Sequence, residues 1–311
     1  MRTADFDYHL PPELIAQEPV EPRDHARLFV VHRSSGAFEH RRFSELPDLL
    51  RPGDLLVAND SRVLPARLYA VKPETGGRVE LLLLKERGLG VWEALVRPSR
   101  RVRAGSRVEL LDQHDAPSGL TALVGDVCGA GREVHFEAPL QQVLERCGRV
   151  PLPPYIHAPL RDPERYQTVY ARRPGSAAAP TAGLHFTPRL LERLRERGIG
   201  MAFVTLHVGL DTFRPVLEEH PQEHKMHSEY IAVPAETAAS INETKARGGR
   251  VVAVGTTAVR TLEAAIRASP SGVMEPYAGT TDLFILPGFE FKVVDALITN
   301  FHLPRSTLLM L

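Results

Sequence analysis

The chain of 311 residues has two cysteines, one tryptophan and five lysines. Cys128 and Cys147 stand far apart and form no CxxC pair, so neither a disulfide framework nor a structural zinc site is indicated, and a reducing compartment suits the count. The lysines are Lys72, Lys85, Lys225, Lys245 and Lys292, and arginine supplies the rest of the positive charge. That bias reads mainly as genome coding and only weakly as a preference for planar bidentate donors. An excess of either charge is missing too. With 38 basic and 38 acidic side chains, a nucleic-acid partner is neither announced nor excluded by the total, and any case rests on local patches. No apolar run approaches the ~20 residues that span a bilayer. The opening MRTADFDYHLPPELIA carries acids and prolines where a secretory leader has a basic and then an apolar stretch. A cytoplasmic protein with no membrane partner is expected.

What is present suffices for two domains, since 311 residues is about twice a usual domain. Residues 66–154 carry short β-like runs at 78–86, 91–98, 106–112, 120–127 and 132–138, separated by glycine-rich turns. Such spacing without comparable helices predicts a small all-β barrel. The proline-rich PLPPYIHAP (151–159) reads as its exit linker. Beyond it, helices and strands alternate. PRLLERLRERG (188–198) has Thr187 as N-cap, Pro188 at the first helical position and Gly198 as stop. Strands are predicted at 201–209, 250–255, 282–287 and 292–300, and helices at 234–249 and 257–268. The expected fold is therefore α/β: a parallel-strand domain built from 1–65 and 155–311, with the barrel inserted between them.

Histidine is the side chain best suited to exchange protons near neutral pH. His185, His207, His220, His224 and His227, five of the chain's thirteen, fall between 185 and 227. Each taken singly serves equally well to satisfy a local hydrogen bond. There is no HExxH and no zinc spacing, so no metal is expected. GTTAVR (255–260) follows a strand and opens a helix, where Thr256 and Thr257 sit beside free N–H groups able to hold a carboxylate, phosphate or ribose hydroxyl; a plain helix cap is the alternative. NDSRV (59–63) places Asn59, Asp60 and Arg62 just past another apolar strand, equally readable as a binding loop or an Asx turn. RPSRRVRAGSR (97–107) gathers Arg97, Arg100, Arg101, Arg103 and Arg107 without an acid, either a phosphate grip or a solvated basic face.

Several blocks resemble a known family in collinear order from end to end. They are FDYHLPPELIAQEPVEPRDHARL (6–28), NDSRVLPARL (59–68), PTAGLHFT (180–187), VTLHVGLDTFRPV (204–216), HKMHSEY (224–230), GTTAVRTLE (255–263) and TDLFILPGFEFKVVDALITNFHLPRSTLLML (281–311). Together they are similar to the S-adenosylmethionine:tRNA ribosyltransferase-isomerases of queuosine biosynthesis. The resemblance implies an α/β domain bearing an inserted β-barrel. It implies transfer and isomerisation of the ribosyl part of S-adenosylmethionine onto 7-aminomethyl-7-deazaguanine at the tRNA wobble position, giving epoxyqueuosine, adenine and methionine. S-adenosylmethionine is then a consumed substrate, and no cofactor is expected. The implied partners are that tRNA and S-adenosylmethionine, and the chain is expected to act as a monomer.

Such chemistry needs a base for the C5′ proton beside the sulfonium, a donor for departing adenine and a neutral attacking amine. On that reading the candidate acids and bases are His185, His207, His224, His227, Glu229, Asp282 and Asp295. Substrate-binding candidates are Asn59, Asp60, Arg62, Thr181, Thr256, Thr257, Arg260, Asn300 and His302, with Arg260 on the methionine carboxylate. The barrel arginines are the tRNA candidates. Three positions depart from the expected pattern: Asp211 replaces a glycine, Ala258 a serine and Ile231 a second tyrosine. Members are also expected to run a few tens of residues past STLLML (306–311), the apolar end of this sequence. An RNA-binding protein without catalysis is a competing reading. An ordinary methyltransferase is disfavoured because no GxGxG-type loop follows an early strand.

Overall fold

The computed structural model describes residues 1–88, 90–209, 216–226 and 228–311. The chain divides into two compact units, Met1–Arg62 with Pro154–Leu311, and Val63–Pro153. No described helix is long and apolar enough to cross a membrane.

The first unit opens with a hairpin of β1 (Arg27–Val31) and β2 (Phe38–Arg42), then a short α1 (Leu46–Leu49). β3 (Leu55–Asn59) follows, buried at every residue. Such a continuous apolar run suits a central parallel strand covered on both faces. β4 (Ser61–Val63) then carries the chain out of the sheet.

The second unit is a closed antiparallel barrel of β5 (Arg67–Val71), β6 (Arg78–Gly88), β7 (Val91–Arg97), β8 (Ser106–Leu111), β9 (Pro117–Cys128) and β10 (Gly131–Phe136), in the order β10-β7-β6-β5-β8-β9. Closure removes exposed strand edges, and Leu68, Leu81, Leu83, Leu110, Val124 and Val134 fill the interior. A helix the sequence did not announce, α2 (Leu140–Cys147), packs on β5 and β9 through Val143 and Cys147. Both cysteines are free thiols.

After the barrel the first unit resumes with β11 (Arg173–Ser176), α3 (Pro188–Glu196) and β12 (Gly200–Leu206). The cap of α3 is the expected one: Thr187 Oγ1 accepts from the Leu190 N–H at 3.1 Å, and Gly198 ends the turn at φ +72°. β13 (Glu229–Val233), α4 (Ala235–Ala246), β14 (Val251–Val254), α5 (Thr256–Ala268), β15 (Tyr277–Thr281), β16 (Ala296–Ile298) and α6 (Thr307–Met310) complete it. The six-stranded sheet runs β15-β13-β12-β3-β14-β16. The pairs β12–β3, β3–β14 and β14–β16 are parallel, and β13 and β15 add an antiparallel flank. Residues of α4 and α5 close one apolar core with β12, β3 and β14, and Phe43, Phe186, Leu190 and Leu194 close the other.

Two strand expectations are corrected. The run 282–287 is not a strand, and the ladder occupies Tyr277–Thr281 just before it. Leu283 explains the break, because its N–H donates to Thr281 Oγ1 and its carbonyl accepts from Arg260 Nε, leaving no pair for a ladder. Within 292–300 only Ala296–Ile298 forms a strand. The main-chain N–H groups of Lys292, Val293 and Val294 donate instead to the fully buried carboxylate of Glu263.

Candidate active site

Parallel strands deliver their loops to one edge of a sheet, and ligands gather there. Here β14 leads into Gly255 and β16 into Thr299, and beside them lies a cavity of about 330 Å³. Thr181, Thr256, Thr257, Asn300 and His302 all line it. Gly255 turns the chain from β14 into α5 at φ +88°, a conformation an L side chain rarely adopts. The turn aims the first N–H groups of a 13-residue helix at the cavity, with the positive end of its dipole behind them. Thr257 Oγ1 is buried there and has no hydrogen-bond partner among the described residues. A buried hydroxyl left unpaired costs free energy that a ligand atom can recover.

His185 ends the short helical turn 181–185, and its Nε2 meets Asn300 Oδ1 at 3.0 Å. Burial pulls its pKa below 6.5, against the opposing hydrogen bonds to Asn300 and the Arg23 main chain, so the ring is neutral at pH 7. Burial takes His302 further down, to about 4, while its Nε2 meets Thr299 Oγ1 at 3.0 Å. Two neutral imidazoles thus adjoin a cavity whose lining, among the described residues, includes no acidic or cationic side chain.

Other candidates lie elsewhere. Arg260, one helical turn beyond Thr256, is buried in an ion pair with Glu229 and donates through Nε to the Leu283 carbonyl at 3.0 Å. Glu229 also accepts from the Gly209 N–H at 2.8 Å. Neither lines the cavity, although Arg260 Nη2 keeps an unused donor among the described residues. Asp282 is exposed just past β15. His224 bonds to Glu218 at 2.9 Å and meets the Phe284 ring edge-on. His227 and Asp211 lie outside the described residues. Asp295 binds Lys245 and the Val251 N–H, which puts it at the start of β14, the end of the strand away from Gly255. Strand direction therefore separates it from the cavity.

The NDSRV loop is a structural knot. Asn59 accepts from the N–H groups of Ser61 and Leu206 and donates to the Leu206 carbonyl. Asp60 accepts from Thr205 Oγ1 at 2.8 Å and from Arg172 at 3.2 Å, and Arg62 pairs with Glu164. His207 follows β12 with its ring on the face opposite Leu206 and Val208, in a separate open depression with Tyr230. In the barrel unit, Arg97, Arg100 and Arg101 share an open depression with Arg78 and Glu80, Arg107 pairs with Glu137, and Arg103 is exposed. Among the described residues no group of three or more His, Cys, Asp or Glu is placed to hold a metal ion.

Comparison with known proteins bears on the whole chain. Residues 3–311 match the family described as queuosine biosynthesis protein. The chain belongs to that family. A relative from Symbiobacterium thermophilum named S-adenosylmethionine:tRNA ribosyltransferase-isomerase is 58% identical, over 100% of this chain and 90% of its own length. One of the same name from Thermus thermophilus is 60% identical over 98% of this chain and 88% of its own length. The crystal structure of S-adenosylmethionine tRNA ribosyltransferase from Thermotoga maritima is 43% identical, covers 98% of this chain and 87% of that one, and superposes with a TM-score of 0.51.

In this queuosine biosynthesis family member, sequence reasoning missed one wall of the cavity. Tyr8, Leu10, Leu14 and Ile15 from the N-terminal segment and Tyr155 line it. Tyr8 is tied to the far wall through its hydroxyl, which donates to the His302 carbonyl. The only signal was the family-like opening block around LPPELIA, which carries no titratable cluster to attract notice.

Proposed function

We propose that the chain transfers and isomerises the ribosyl moiety of S-adenosylmethionine onto 7-aminomethyl-7-deazaguanine at the tRNA wobble position, in the cytoplasm, releasing adenine and methionine and leaving epoxyqueuosine. The observation that carries this reading is the unpartnered Thr257 hydroxyl beside the α5 N-terminus, within a cavity that also holds Asn300 and adjoins neutral His185. Family membership and the names of relatives sharing over half of its residues support it.

The physical roles follow from the chemistry. Thr256, Thr257 and the α5 N–H groups hold oxygen atoms of the ribose or the carboxylate. Keeping His185 and His302 neutral avoids repelling a sulfonium. Asn300 orients the His185 ring through the 3.0 Å contact. S-adenosylmethionine is consumed, so no further cofactor takes part. Arg97, Arg100, Arg101, Arg103 and Arg107 of the barrel contact tRNA phosphates, whereas Arg260, buried against Glu229 and away from the cavity lining, takes no part in holding the methionine arm.

Mass spectrometry after incubation with S-adenosylmethionine and tRNA carrying the aminomethyl-deazaguanine base tests the proposal. Adenine and methionine in equal amounts, with tRNA gaining the ribosyl mass, are expected. S-adenosylhomocysteine, or no turnover, overturns it.

A further inference from the structure

The antiparallel flank of the sheet carries a surface that the cavity does not use. β12, β13 and β15 bring His207, Tyr230 and Thr280 into one row on one face, with Thr205, Ala232 and Ala278 in the next. The opposite face of this flank is packed against α5. On the open face Tyr230 remains 44% exposed, and an open depression of about 780 Å³ lies over the row of small side chains. The Tyr230 ring stacks on His207, with centroids 5.4 Å apart and planes 22° apart. Gly175 permits this arrangement, since a Cβ there would come within 2.8 Å of His207 Nε2. Tyr230 is thereby held upright on one side, and its other side faces the small Thr280 across the strand pair.

Among the described residues that line this depression, the formal charge is an arginine's. Arg173 lines the depression, and the exposed Arg172 stands beside it, stacked over Phe203 at 4.7 Å. The acid in contact is Asp60, buried and already engaged by Arg172 and Thr205. Glu229, Glu236 and Glu275 are the nearest acids along the chain; Glu229 is buried in its pair with Arg260, Glu236 and Glu275 are exposed, and none of the three lines the depression.

A rigid aromatic ring with an open face, a floor of alanine methyls and arginines at the rim match a flat heterocycle joined to an anionic backbone. We propose that this face is a stacking platform for an unpaired nucleotide of the RNA substrate, with the base on Tyr230 and the adjoining phosphate on Arg173. The proposal rests on the reading that the chain acts on tRNA. It places an RNA contact on the first unit itself, apart from the barrel arginines. An acidic peptide would use the arginines but not the aromatic stack, so the ring decides between them.

The test is fluorescence anisotropy with a labelled tRNA anticodon stem–loop, alongside adenine release from S-adenosylmethionine and full tRNA. Tyr230→Ala is expected to weaken RNA binding about tenfold, with KM for tRNA rising and Tyr230→Trp restoring affinity. Ala278→Glu, at an exposed strand position where folding is not at stake, is expected to weaken binding most at low salt. Arg173→Ala should reduce the slope of log affinity against log salt by about one. Wild-type affinity in both Tyr230→Ala and Ala278→Glu, while the wild type releases adenine, overturns the platform and leaves the ribosyl-transfer reading intact. A wild type that binds RNA through Tyr230 yet releases no adenine overturns that reading and leaves the platform.

Discussion

Two polar loops leave neighbouring parallel strands at the same edge of the sheet, residues 59–62 after β3 and 255–257 after β14. In sequence they look alike, each an apolar strand followed by small polar side chains. Their hydrogen-bonding accounts differ. Asn59 and Asp60 spend their capacity on Ser61, Leu206, Thr205 and Arg172, and the Ser61 hydroxyl, buried and without a partner among the described residues, does not line the cavity. Thr257 spends none of its hydroxyl's, and the helix N-terminus beside it faces a cavity. Polarity after a strand does not mark a site by itself. Unspent polarity facing open space does.

The sharpest way to break this contrast is His185→Ala, which removes the imidazole that donates to Asn300 and fixes it at the cavity wall. Adenine release should fall by about 100-fold or more with the fold retained, measured by single-turnover assay and circular dichroism. A near-normal rate would remove His185 from the chemistry. Asn59→Ala should do the reverse. It strands the N–H groups of Ser61 and Leu206 and the Leu206 carbonyl, and should cost about 3 kcal/mol in urea unfolding, with little change in KM for S-adenosylmethionine in the protein that folds. Thr257→Val is smaller and double-edged. Deleting an unpaired buried hydroxyl should stabilise the chain by about 1 kcal/mol, yet raise KM for S-adenosylmethionine about tenfold. Unchanged KM would mean that the hydroxyl faces no ligand.

The mildest test is pH. His185 and His302 have folded pKa values below the unfolded 6.5, so in the acid range the unfolded chain binds more protons than the folded one. Their contribution to stability is present above about pH 6.5 and is lost as pH falls through the folded values, about 4 for His302. Thermal midpoints measured across that window should decline in the wild type, and less steeply in His302→Gln.

The architecture was largely legible because it follows from patterning. Glycine-punctuated β runs announce the barrel, and capped amphipathic segments alternating with apolar strands announce parallel pairing. Failures came where a side chain replaced a backbone partner. Glu263 takes the N–H groups of 292–294, and Arg260 takes the Leu283 carbonyl, so apolar runs that read as strands stay irregular. The candidate site was legible by residue type and not by grouping. Thr181, Thr256, Thr257, Asn300 and His302 converge, whereas Asp295, of equal promise in sequence, sits at the wrong end of β14. Strand direction decides such cases, and no local pattern reports it. The wall made by Tyr8, Leu10 and Ile15 escaped because apolar lining residues carry no chemical signature of their own.

The barrel is inserted immediately after β3, the central strand of the catalytic sheet. During synthesis, residues 55–59 therefore emerge long before 200–206 and 251–254, the strands that flank them. An intact small domain is born in the interval, while Leu55, Leu56, Val57 and Ala58 wait uncovered. Ribosomal order thus makes the barrel the early folder and the sheet the late one, and places the period of greatest aggregation hazard in the wait between.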